Sequence, residues 1–201
     1  MTPSAESKKM TAGQINKAVA NYRALLEKHS CEFNSETVQS VLGQPELADE
    51  MLVVFRKRVG AISNVIVRRV HVNRSMDSQG VLDATGRTQY TNPEVMKDLP
   101  RGDGEDKEVF FFKLGRYVSD AELDEEYELR GLKSDPYAQA QANTDGHTFA
   151  DGHPNGCHWK DANGRWCFIA FDRWFDGERS VVVHRGDCGW HGCWWFAGVR
   201  K

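Results

Sequence analysis

Residues 154–201 read PNGCHWKDANGRWCFIAFDRWFDGERSVVVHRGDCGWHGCWWFAGVRK, and this stretch decides how the C-terminal part is expected to fold. Asn163-Gly164 and Asp176-Gly177 are the dipeptides that favour two-residue hairpin turns, where both turn residues need positive φ. They separate three extended runs, Cys157–Asp161, Arg165–Phe175 and Glu178–Arg185. A turn through Gly186-Asp187-Cys188-Gly189 then leads into Trp190–Val199. The pattern predicts a four-stranded antiparallel β-meander. Two-residue turns set His158 opposite Ile169 and Ile169 opposite His184, with Cys167 diagonal to both on the same face. The two histidines would then stand two strands apart, roughly 9–10 Å.

The same stretch concentrates unusual chemistry. All six tryptophans (Trp159, Trp166, Trp174, Trp190, Trp194 and Trp195) and four of the five cysteines (Cys157, Cys167, Cys188 and Cys193) lie in it. His158, His184 and His191 lie there too, with His153 at its edge. Indoles are large rigid apolar groups with one N–H to satisfy. Six exceed what the one-sided core of a small sheet needs, which leaves some to face a partner or the helical half of the same chain.

Upstream, the pattern is helical and then mixed. Thr11-Ala12-Gly13-Gln14 is a capping box, followed by Ile15, Val19, Tyr22, Leu25 and Leu26 at helical spacing. This predicts a helix ending near His29. Ser35 is expected to cap a short second helix, and Pro45 to open a third that stops at Gly60. Val65–Val72 reads as a strand. Asp77–Thr85 reads as a short helix, and Asn92-Pro93 as a turn or helix start. Glu108–Leu114 runs apolar without alternation and is expected to be a strand buried on both faces. Ser119-Asp120-Ala121-Glu122 is a second capping box, starting a helix that stops at Gly131. The expected organisation is a disordered tip (1–10), a helical unit (11–60), a mixed α/β region (61–133), a polar connection (134–153) in which Tyr137–Ala142 forms one or two turns of helix, and the Trp-rich sheet (154–201). The fold class is α+β.

A net charge of −3 offers no global attraction to nucleic acid or anionic membrane. No apolar run reaches the roughly 18 residues of a bilayer span. Met1–Lys9 lacks the apolar stretch of a signal peptide, so a cytoplasmic location is expected. An odd cysteine count argues against a pure disulfide framework.

Three chemistries compete for the Trp-rich segment. Zinc wants four tetrahedral nitrogen or sulfur donors. His184-x3-Cys188-x2-His191-x-Cys193 and Cys157-His158 supply the types, without the paired CxxC knuckles that would be diagnostic. The candidate metal ligands are therefore Cys157, His158, His184, Cys188, His191 and Cys193, the basis of a zinc module or zinc-dependent hydrolase. A nucleophilic Cys167 with His158 or His184 is disfavoured by its apolar strand. Carboxylate clusters such as Asp124–Glu126 read as a solvated helix face. A single-stranded nucleic-acid binder would use Arg56, Lys57, Arg58, Arg68, Arg69 and Arg74 with stacking indoles. The leading expectation is a non-enzymatic cytoplasmic protein that recognises another macromolecule, most simply a protein. Its contact residues would be Trp174, Trp190, Trp194, Trp195, Arg165, Arg173 and Arg179.

The segments Pro154–Asp161, Trp166-Cys167-Phe168, Asp172-Arg173-Trp174, Glu178-Arg179 and Trp194–Lys201 resemble a group of uncharacterised bacterial proteins with a Trp-rich C-terminus. Ala84–Arg87, Phe111–Leu114 and Glu126–Leu132 fit the same resemblance, which spans roughly residues 60–201. It implies a bacterial or mobile-element origin and a variable helical N-terminus, and it carries no activity, ligand or catalytic residue.

Overall fold

The computed structural model describes residues 9–63, 65–186 and 189–201. The tip expected over residues 1–10 and the candidate ligand Cys188 therefore fall wholly or mostly outside the described residues. The chain divides into two units, residues 1–54 and 55–201.

The first unit is helical. Helix α1 (Ala12–Lys28) starts at the Thr11 capping box, in which Gln14 N–H donates to Thr11 Oγ1 and Thr11 N–H donates to the Gln14 amide oxygen. Helix α2 (Ser35–Leu42) is capped by Asn34 rather than Ser35, because the Asn34 side chain reaches the N–H groups of both Glu36 and Thr37. Helix α3 (Glu46–Ile62) runs across the boundary between the units and through Gly60, the expected stop. Among residues 9–54 none is buried, and Ile15, Val19, Tyr22 and Leu26 line an exposed α1 face.

The second unit is built on one mixed sheet. Its strands are β1 (Ile66–His71), β2 (Thr88–Thr91), β3 (Asp106–Lys113), β4 (Leu132–Lys133), β5 (Asn155–Lys160), β6 (Trp166–Arg173), β7 (Arg179–Arg185) and β8 (Trp195–Arg200). The spatial order is β1-β3-β8-β5-β6-β7-β2, with β4 also on β8. Helices α4 (Ser78–Asp83), α5 (Pro93–Lys97), α7 (Pro136–Asp145) and α8 (Phe149–Gly152) contribute to the core on one face, and α6 (Asp120–Arg130) to the core on the other.

This corrects the expected four-stranded antiparallel C-terminal meander. Strands β5, β6 and β7 do form consecutive antiparallel hairpins. The last strand does not return beside β7. It inserts between β3, antiparallel, and β5, parallel, and the edge of β7 is taken in parallel by β2. Burial explains the order. Phe196, Ala197 and Val199 are shielded on both sides, as are Phe111 and Phe112 of β3. Apolar strands without alternation need neighbours on both faces and edges. In the outer strands β1 and β2 exposed and more buried positions alternate, and both strands tolerate an open edge.

Residues 134–153, polar in composition and expected to be a connection, hold α7 and α8. Tyr137, Ala138, Ala140 and Ala142 pack into the sheet core. The side-chain N–H groups of Gln139 and Asn143 in α7 find an acceptor there, while Gln139 Oε1 stays buried without a hydrogen bond. Gln139 Nε2 and Asn143 Nδ2 both donate to Asn155 Oδ1, at 2.8 and 3.0 Å. Asp135 caps the helix through the Ala138 N–H and grips Arg74 with both oxygens, at 2.8 and 2.7 Å.

Candidate functional site

The site follows from hairpin register. Asp161 N–H donates to Arg165 O, Gly164 N–H donates back to Asp161 O, and Gly164 has φ +75°. Trp174, Glu178 and Gly177, at φ +92°, repeat the pattern. Each loop thus holds three residues ending in a left-handed glycine, one more than the two-residue turns expected. One extra residue moves every opposite side chain to the other face. His158 stands opposite Phe168, and Phe168 opposite His184, while Cys167 faces Trp159. The expected His158–Cys167–His184 face does not form: Cys167 and Ile169 belong to the core beneath α7, and the histidines point to the α6 side.

On that side His158 is almost fully buried. Its ring stacks on Trp166 at 4.5 Å and 7°, with Tyr127 at 5.7 Å and 27°. Nδ1 lies 2.7 Å from Asp120 Oδ1, so this nitrogen carries the proton and donates. Nε2 is buried without a hydrogen bond. Asp124 Oδ1 is 3.1 Å away but off the line that a bond requires.

Asp120 is the first residue of α6, inside the Ser119–Glu122 capping box. A carboxylate suits this end of a helix. Its Oδ1 accepts a second bond, from Trp190 Nε1 at 3.0 Å. One oxygen thereby ties α6, β5 and the segment leading into β8. That segment is held further by paired backbone bonds between Val118 and Trp190.

The result is a cleft of about 270 Å³ lined by Asp120, Phe168, Ala170, Trp190, His191 and Trp194, with Gly186 and Gly189 at its rim. Trp190 meets Phe168 at 5.7 Å and 78°, and Trp194 at 5.6 Å and 83°. The rings stand as walls at right angles, not as a flat platform. Gly156 makes room for them: a Cβ there would lie 2.6 Å from the Trp190 ring.

The remaining expected site residues are scattered. Trp174 is exposed at the β6–β7 hairpin tip, stacked on Tyr90 at 4.9 Å, and the Tyr90 hydroxyl donates to Glu178. Trp195 lies half-buried on the α7 side against His153. Arg165 pairs with Asp161, and Arg173 and Arg179 with Asp151. The expected contact set is thus split between both hairpins and both faces, and only Trp190 and Trp194 share the cleft.

The expected metal ligands are likewise dispersed. Cys157 is buried on the α7 side and His158 on the α6 side, while His184, His191 and Cys193 are exposed. Among the described residues no group of three or more His, Cys, Asp or Glu side chains is placed to hold a metal ion. Burial pushes the Cys157 and Cys167 thiols up. Of the basic residues offered for nucleic acid, Arg69 pairs with Glu108, Arg74 with Asp135, Arg58 donates to Leu129 O, and Arg68 lies over Phe149.

Sequence reasoning missed Asp120 and Gly156. Asp120 was visible only as part of a capping box, and Gly156 only as a small residue in a strand. Among the described residues no helix is long and apolar enough to cross a membrane. No protein-family model, curated protein or solved structure matches this chain.

Proposed function

We propose that this protein is a binding protein that recognises a segment of another protein in the cleft walled by Phe168, Trp190 and Trp194. The observation that carries the reading is Trp194. It is only partly buried, stands at right angles to the buried Trp190, and lines a hollow left open among the described residues. Aromatic anchors at a concave site are where interface energy concentrates.

The His158–Asp120 pair serves as scaffold in this reading. The imidazole is stacked between rings and its bonded nitrogen is spent on orienting Asp120. The test is selection from a displayed random-peptide library against the full chain and against Trp194→Ala. Peptides enriched by the native chain, and no longer held by the folded variant, support the cleft. Enrichment that is equal for both, or absent, overturns it.

A further inference from the structure

We infer that the group this cleft takes is an organic cation, an alkylated ammonium or guanidinium carried on the partner's side chain. The inference rests on the binding reading above and specifies its ligand. Three features of the hollow converge on it.

The first is the arrangement of rings. Phe168 and Trp194 each stand nearly perpendicular to Trp190, at 78° and 83°. Rings set this way around one volume offer it π faces as well as edges, and a π face attracts a cation. The second is charge. Asp120 lines the cleft with a side chain only 8 % exposed, and its Oδ1 is held by two N–H donors. Among the described residues no lysine or arginine lines the hollow, and Arg116, two residues before the Val118–Trp190 pairing, is engaged by Glu122 and Glu126. A buried carboxylate without a lining cation repels an anion and is incompletely satisfied by a neutral apolar group. The third is size. About 270 Å³ falls just below the range of roughly 300–1,000 Å³ typical of sites for drug-sized ligands, and suits one headgroup or side-chain end.

The experiment compares isosteric pairs on the full native chain, with the indole N–H resonances of Trp190 and Trp194 as readout. One pair is choline and its neutral isostere 3,3-dimethylbutan-1-ol. The other is a short capped peptide carrying trimethyllysine and the same peptide carrying norleucine. The expected result is that the cationic member of at least one pair moves both resonances and binds about tenfold or more tightly than its isostere. The preference should be lost in Asp120→Asn and the binding weakened in Trp194→Leu. Stronger binding of the peptide than of choline supports a partner's side chain as the source; the reverse overturns that source in favour of a free organic cation.

Equal binding of both members of each pair overturns the cation inference and leaves the binding reading standing. Silence of all four probes, alongside library peptides that need Trp194, does the same. Because the isosteric comparison uses the native chain, it decides the matter even if Asp120→Asn fails to fold.

Discussion

At the residue scale, Asp120 and Gly156 are the two positions on which the cleft turns. Replacing Asp120 by Ala leaves His158 Nδ1 and Trp190 Nε1 buried without an acceptor. The expected cost is about 2–5 kcal/mol of stability, read as a fall in the urea midpoint. A loss under 1 kcal/mol would mean that the shared oxygen does not hold these elements together. Gly156→Ala places a methyl 2.6 Å from the Trp190 ring and 3.1 Å from Ile169 O. Overpacking of this kind costs about 1–3 kcal/mol, and the Trp190 fluorescence should change with it. A third residue gives a pH signature. Lys107 and Lys133 hold the Asp103 carboxyl down to about 2. Its folded value lies below the ordinary value near 3.9, so its contribution is complete above about pH 4 and is lost as pH falls through 2. The melting gap between native chain and Asp103→Asn should be constant above pH 4 and close toward pH 2.

At the element scale, α7 is the helix that hydropathy hides. Its residues alternate alanines with amides, so the sequence offers only one or two turns at Tyr137–Ala142 within a polar connection, whereas the helix runs from Pro136 to Asp145. The side-chain N–H groups of Gln139 and Asn143 are tolerated in the core because Asn155 of β5 accepts from both, which offsets most of the cost of burying them. Asp135 then does two jobs, capping the helix and pairing with Arg74, with only 1 % of its side chain exposed. Asp135→Ala should cost about 2–4 kcal/mol by removing the cap and the carboxylate of a part-buried ion pair, leaving the Arg74 guanidinium only the carbonyls of Arg101, Asp103 and Gly104. An unchanged thermal midpoint would deny the pair that role. The hairpins show a second reason why elements are legible and their pairing is not. Asn-Gly and Asp-Gly located both turns correctly, yet the same dipeptides serve two-residue turns and three-residue loops ending in a left-handed glycine. The choice between them decides which face each histidine occupies.

At the scale of the whole molecule, the buried hydrophobic residues among those described all lie at or beyond Ala61. A chain starting at Phe55 should therefore retain the cooperative melt of the full chain, since residues 9–54 contribute no buried side chain. A large drop in midpoint would show otherwise. The four described cysteines also divide by position. Cys157 and Cys167 are buried and their thiols pushed up, whereas Cys31 and Cys193 are exposed. Native-state alkylation should label the exposed pair rapidly and the buried pair only on unfolding. Rapid labelling of Cys157 would contradict the core described above.

Local order was determined by the sequence itself. Capping boxes at Thr11 and Ser119, the left-handed stop at Gly131 and the unbroken apolar run through Phe112 depend on neighbours a few residues away, and each forms where it was expected. Tertiary structure alone decided where Trp195–Arg200 pairs, since strands buried on both faces look alike until their neighbours are known. It also decided that Asp120, 38 residues from His158 and 70 from Trp190, joins them at one oxygen. Periodicity carries information over a few turns of chain. A hydrogen bond across that separation depends on packing, which no local pattern records.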